Sequence, residues 1–120
     1  MKLLLVAVFL VLLALPANAQ GPGDAIAAWE RGDYRTAFEI WQPLAERGDK
    51  DAQIGLVNLY TYGRGVPRDY QKAYMWLIIG IAEEPAGSTR IRDYLAGFLT
   101  VGEKEQAERL AREWLERHPK

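Results

Sequence analysis

Past an uninterrupted apolar run at its start, the chain places its apolar residues at steps of three and four. The stretch DKDAQIGLVNLYTYG sets Ala52, Leu56, Leu59 and Tyr60 on one helical stripe. It closes on Gly63, a residue suited to ending a helix with positive φ. VGEKEQAERLAREWLERH does the same with Ala107, Leu110, Ala111, Trp114 and Leu115. The spacing predicts helices over 23–31, 33–47, 50–62 and 69–83, paired as antiparallel hairpins by short turns. A fifth helix is predicted in STRIRDYLAGFL, capped by Ser88, and a sixth in the final apolar-striped run. No stretch alternates with period two, so no sheet is expected and the class is all-α.

The pattern repeats. Asp33-Tyr34-x-x-Ala37 returns as Asp69-Tyr70-x-x-Ala73 at an offset of 36 residues. Trp41 and Trp76 follow, one residue out of register. Each aspartate is suited to cap a helix, because its carboxylate accepts from first-turn amides and favours the positive end of the helix dipole. Ala37 and Ala73 lie one turn inside, where a small side chain lets a neighbouring helix approach. Pro43 conflicts with this scheme, since it falls inside the second helix and cannot donate to Glu39, and a kink is expected there.

The opening run changes the picture of the rest. MKLLLVAVFLVLLALPANAQ has a positive Lys2, an apolar stretch from Leu3 to Leu15, Pro16, and small residues at Ala17 and Ala19. This is the layout of a secretory signal peptide cut before Gln20, and the run is shorter than a bilayer span. The expectation is a signal peptide over 1–19, a single domain over 20–120, and an exported protein, periplasmic or secreted, with no stable membrane insertion after cleavage. The absence of cysteine excludes both a lipidated N-terminus and disulfide staples. Beyond Lys2, 14 basic side chains face 16 acidic ones without a basic stripe. Nucleic acid is therefore not an expected partner.

Between the third and fourth predicted helices stands YTYGRGVPRDY. Gly63-Arg64-Gly65 invites a phosphate-loop reading, but such a loop needs a preceding strand and either Gly-Lys-Ser/Thr or a third glycine. A helix precedes it instead, and Val66-Pro67 follows. Val66 is expected to plug the gap between two helices, and Pro67 to stiffen the approach to Asp69. The loop reads as an elbow.

These residues resemble a known family. Ala52, Leu56, Tyr60, Gly63 and Gly65, continued by Val66, Asp69, Ala73 and Trp76, look like the Sel-one-like repeat, a relative of the tetratricopeptide repeat. The full repeat covers 51–82, and partial repeats flank it on both sides. The resemblance implies an α/α helical-hairpin repeat, a short right-handed tetratricopeptide-like solenoid, of the short exported bacterial type. Val57 stands where the family usually has glycine, which would set the two helices of that hairpin slightly apart. Ile78, Ile79 and Ile81 make the fourth helix apolar nearly all round.

Chemistry is sparse. The single histidine, His118, falls at a chain end expected to be frayed, and one histidine without cysteine assembles no usual zinc site. Glu83-Glu84 before Pro85 reads as a solvated helix end. No catalytic, metal or cofactor site is expected, and the resemblance implies a non-enzymatic scaffold or adaptor for proteins or peptides in the bacterial cell envelope. The candidate binding face is the second stripe of the third helix, Asp51, Ile54, Asn58, Thr61 and Tyr62. In the tetratricopeptide relatives, the equivalent positions line the concave groove. Asn58 offers an amide that donates and accepts, and Tyr62 an apolar anchor. Two alternatives remain open: a cell-wall glycan module using aromatic faces, and self-association or subunit docking through the isoleucines of the fourth helix.

Overall fold

The computed structural model describes residues 21–84 and 89–120; the expected signal peptide and the expected Ser88 cap lie outside the described residues. The described residues form helices α1 (Pro22–Glu30), α2 (Tyr34–Glu46), α3 (Lys50–Tyr62), α4 (Tyr70–Gly80), α5 (Thr89–Ala96) and α6 (Val101–Arg117). No strand occurs among them. None of these helices is long and apolar enough to cross a membrane.

Local chemistry explains the boundaries. Asp33 and Asp69 cap α2 and α4 by accepting from the amides of Thr36 (3.4 Å) and Lys72 (3.0 Å). Asp49 does the same for α3, accepting from Ala52 at 2.9 Å. The tetrapeptide Glu-Arg-Gly-Asp occurs twice, at 30–33 and 46–49. Both times its glycine takes positive φ, 78° at Gly32 and 99° at Gly48, and its aspartate opens the next helix. Thr100 and Glu103 close a reciprocal capping box at the start of α6, with bonds of 3.0 and 3.1 Å.

Successive helices pack into antiparallel hairpins, α1 on α2, α2 on α3 and α3 on α4. Helix α4 then receives both α5 and α6. The two copies of the internal repeat occupy equivalent places: Ala37 and Ala73 are fully buried, and Trp41 and Trp76 are nearly so. Trp41 lies flat over Gly55, where a β-carbon would sit 2.6 Å from the indole, so α2 and α3 meet at that glycine. On the other side of α3, Gly80 approaches Ile54, whose terminal methyl would stand 3.0 Å from an added β-carbon. The side chain of Val57, where the repeat usually has glycine, is buried. Trp76 and Trp114 meet edge to face at 6.1 Å and join α4 to α6.

Several expectations need correction. Helix α4 ends at Gly80 rather than near 83, because the chain tightens into turns as Ala82 donates to Ile79 and Glu84 to Ile81. A proline follows, which disfavours helical geometry just before it. Helix α2 does run through Pro43 to Glu46, as its predicted span requires; the proline is exposed, and Arg47 donates to its carbonyl at 3.3 Å. Leu110, expected on the buried stripe of α6, is exposed. His118 is not frayed: its ring stacks on Trp114 at 3.8 Å, and its Nδ1 lies 2.7 Å from the Trp114 carbonyl oxygen.

Candidate functional site

The elbow 63–69 sets one edge of the site. Gly63 has φ 64° and Gly65 φ 72°, both left-handed. An added β-carbon on Gly65 would lie 2.6 Å from the backbone carbonyl of Tyr34, so the loop is pressed onto the first turn of α2. The amides of Arg64 and Asp69 donate to the Leu59 and Tyr60 carbonyls, both at 2.9 Å. These amides tie the loop to α3. Val66 is half-buried against the core, as a plug should be. Arg64 reaches back between two rings, 4.8 Å from the centroid of Tyr62 and 5.3 Å from that of Tyr34.

Beside this elbow a cleft of about 360 Å³ opens between α3 and α5. Its α3 wall carries Val57, Asn58, Thr61 and Tyr62, and its α5 wall Arg90, Ile91, Tyr94 and Leu95. Leu95 is fully buried and forms the floor, whereas Tyr62 (59% exposed), Ile91 (51%) and Tyr94 (54%) stand open. Large apolar side chains left open across one concavity are uncommon outside binding surfaces.

The expected α3 stripe is thus divided. Asn58, Thr61 and Tyr62 meet in the cleft; Asp51 and Ile54 are exposed but do not line it. Thr61 is 8% exposed and its hydroxyl donates to the Val57 carbonyl at 2.6 Å, so it offers shape and not a free polar group. Asn58 is half-buried, and its Oδ1 accepts from the indole N–H of Trp29 at 3.1 Å. That bond orients the amide with its NH₂ group free to donate, since no partner for it occurs among the described residues. The α5 wall was not among the expected binding residues. The spacing of Ile91, Tyr94 and Leu95 by three and four reads as a buried stripe, yet only Leu95 turns inward.

A second cleft, of about 330 Å³, lies at the far ends of the hairpins among Lys50, Gln53, Glu83 and Trp114. Glu83 bridges Lys50 at 2.7 Å and also pairs with Lys120. It lies in an ion-paired turn beyond the end of α4, not at a merely solvated helix end. Gln53 is buried and donates to the Ala45 carbonyl at 3.1 Å. The isoleucines of α4 and its C-cap form no open face: Ile79 is buried, and Ile78 and the capping Ile81 are partly buried against the core. Tyr60, Trp41 and Trp76 are buried, and Tyr34 and Tyr70 half-buried, which assigns these aromatics to packing.

Two phenols and one carboxyl titrate away from their ordinary ranges. Burial raises Tyr60, helped by Asp69 and Glu46. Burial also raises Tyr74, helped by its bond to Glu108 at 3.0 Å. Glu103 is lowered, chiefly by the Thr100 backbone N–H it accepts from. None lines the α3–α5 cleft.

No protein-family model matches the chain, and no solved structure does. Part of it is similar to the DAP3-binding cell death enhancer 1 of Rattus norvegicus, 43% identical over 44 residues, 37% of this chain and 9% of that protein. The Mus musculus protein of the same name is 45% identical over 42 residues, 35% of this chain and 8% of the relative. An uncharacterised Sel1-like repeat-containing protein of Schizosaccharomyces pombe is 36% identical over 58 residues, covering 48% and 9%. The matches thus span less than a tenth of the length of these curated relatives, at 8–9%. This partial, distant similarity supports a likeness to the Sel1-like repeat and extends no further.

Proposed function

We propose that the chain is a non-enzymatic scaffold that holds a protein or peptide segment in the cleft between α3 and α5. One observation carries this reading: Tyr62, Ile91 and Tyr94 stand exposed across one concavity, with the oriented amide of Asn58 on its α3 wall. An extended segment has what such a site can use, apolar side chains for the walls and backbone carbonyls for the amide. The similar rat and mouse proteins are named for binding another protein, DAP3, which agrees with a protein-binding use of this repeat.

The place of action belongs to the same proposal. The charged start, apolar run and Ala-Asn-Ala of the first nineteen residues support export into a bacterial envelope compartment, with cleavage before Gln20. Docking through α4 has less support, because its isoleucines are already covered. A glycan platform has less as well, because most of the rings are engaged in packing.

The test uses the tagged full-length chain expressed in cells, compared with Tyr62→Ala and Tyr94→Ala variants of equal helicity. Proteins retained by the wild type and lost from both variants support the reading. Retention unchanged in both variants overturns it. Mass spectrometry of the recovered chain checks export: the proposal requires a start at Gln20, and a chain beginning at Met1 contradicts it.

A further inference from the structure

Tyr62, on the edge of the cleft, is bordered by two cations. Arg90 lines the opposite wall, and Arg64 rises from the elbow to lie 4.8 Å from the Tyr62 ring. Neither guanidinium has a carboxylate within 4.0 Å among the described residues, and no carboxylate lines the cleft. Three of the other arginines, Arg31, Arg35 and Arg109, each stand near an acidic side chain. The chain carries a net charge of −1, so the local excess of cations is not a general property of its surface.

We infer that the segment bound in this cleft is acidic, with an apolar or aromatic side chain between Tyr62 and Tyr94 and an Asp or Glu close to it in sequence. The inference rests on the scaffold reading above and narrows its partner. The apolar side chain covers the Leu95 floor, and the neighbouring carboxylate meets Arg90, which is exposed on α5 and free to present its planar fork. Arg64 adds a positive field from behind Tyr62 while holding that ring in place as the wall of the cleft. Asn58 donates to a backbone carbonyl of the segment, since the Trp29 indole has already oriented its oxygen. A basic segment would place like charges together at both arginines, which disfavours it by repulsion.

The experiment is a selection from a display library of random dodecapeptides against the full chain and its variants. The wild type should enrich peptides in which an aromatic or aliphatic residue stands within a few positions of Asp or Glu. Arg90→Gln, which removes a charge from an exposed helix position, should lose the acidic preference and keep the apolar one. In a selected peptide, changing the acid to its amide should weaken binding about two- to fivefold at low salt. The difference should shrink as salt screens it. Peptides without charge preference, or with a basic one, overturn the acidic inference; the scaffold reading still stands if Tyr94→Ala abolishes enrichment. An acidic preference that survives in both Arg90→Gln and Arg64→Gln also overturns it, because the acid would then be read elsewhere. Enrichment by the wild type no greater than by a Tyr62→Ala/Tyr94→Ala double variant overturns both readings.

Discussion

The indole of Trp29 donates to Oδ1 of Asn58 at 3.1 Å, joining the end of α1 to the wall of the cleft. Asn58 is therefore part of a pair, and a substitution at either position is felt at the other. Trp29→Phe keeps a ring and removes the donor; Asn58→Ala leaves a half-buried indole N–H without its acceptor. Each should cost about 1 kcal/mol in urea unfolding. The double-mutant cycle should return a coupling of roughly 0.5–1.5 kcal/mol. Additive single effects would show that the bond is not formed in solution.

The elbow glycines should differ in cost. At Gly63 an alanine must hold φ 64° with its β-carbon 3.2 Å from Arg68, a penalty of about 1–2 kcal/mol. At Gly65 the same kind of strain, at φ 72°, is joined by contact at 2.6 Å with the Tyr34 backbone, which has no side-chain freedom to yield. Gly65→Ala should exceed Gly63→Ala by about 1 kcal/mol or more in thermal unfolding. Equal losses would mean that the loop does not press on α2.

Leu56 and Tyr62 lie on the same helix and should behave oppositely. Leu56 is fully buried, so Leu56→Ala should cost roughly 2–5 kcal/mol. Tyr62 is 59% exposed, so Tyr62→Ala should cost less than about 1 kcal/mol while weakening capture of the partner segment. Chemical denaturation of the two variants decides this. A large loss at Tyr62 would make it a packing residue and remove it from the site.

Acid should loosen the start of α6. The folded-state carboxyl of Glu103 titrates below its ordinary value of 4.5 because its anion accepts from the Thr100 amide. Its contribution is therefore present above that ordinary value and is lost as pH falls through the lower folded one. Glu103→Gln keeps an acceptor for the capping box and removes the titration. Its stability, followed by melting between pH 6 and about 3, should fall less steeply with acid than that of the wild type. Parallel curves would exclude a contribution from this carboxylate.

Much of the fold is readable from local chemistry, because each device acts within a few residues. The α3 stripe, the Asp33 and Asp69 caps and the positive-φ Gly63 are all of this kind. The doubled Glu-Arg-Gly-Asp was equally readable, as two helix stops that each carry the cap of the next helix. The site is only half legible. Tyr62 and Asn58 follow from the periodicity of α3, but the bond from Trp29 to Asn58 spans 29 residues and leaves no local trace. Ile91 and Tyr94 have the spacing of core residues. They stay open because α6 packs on α4 and does not cover them, a matter of tertiary arrangement that no helical period encodes. Likewise, Gly80 and Gly55 read as helix weaknesses until the partners that require them, Ile54 and Trp41, are seen in place.

The central claim is that recognition occurs between α3 and α5, and chemical-shift mapping tests it most directly. The ¹⁵N-labelled chain would be titrated with the peptide most enriched in the library selection, or with one from an equally diverse library if none predominates. The account predicts that the largest changes fall on Asn58, Tyr62, Ile91 and Tyr94 and on the Trp29 indole N–H. The signals of Gln53, Trp114 and Lys120 at the opposite cleft should stay in place. Changes centred on that second cleft, or on α4, would contradict the assignment.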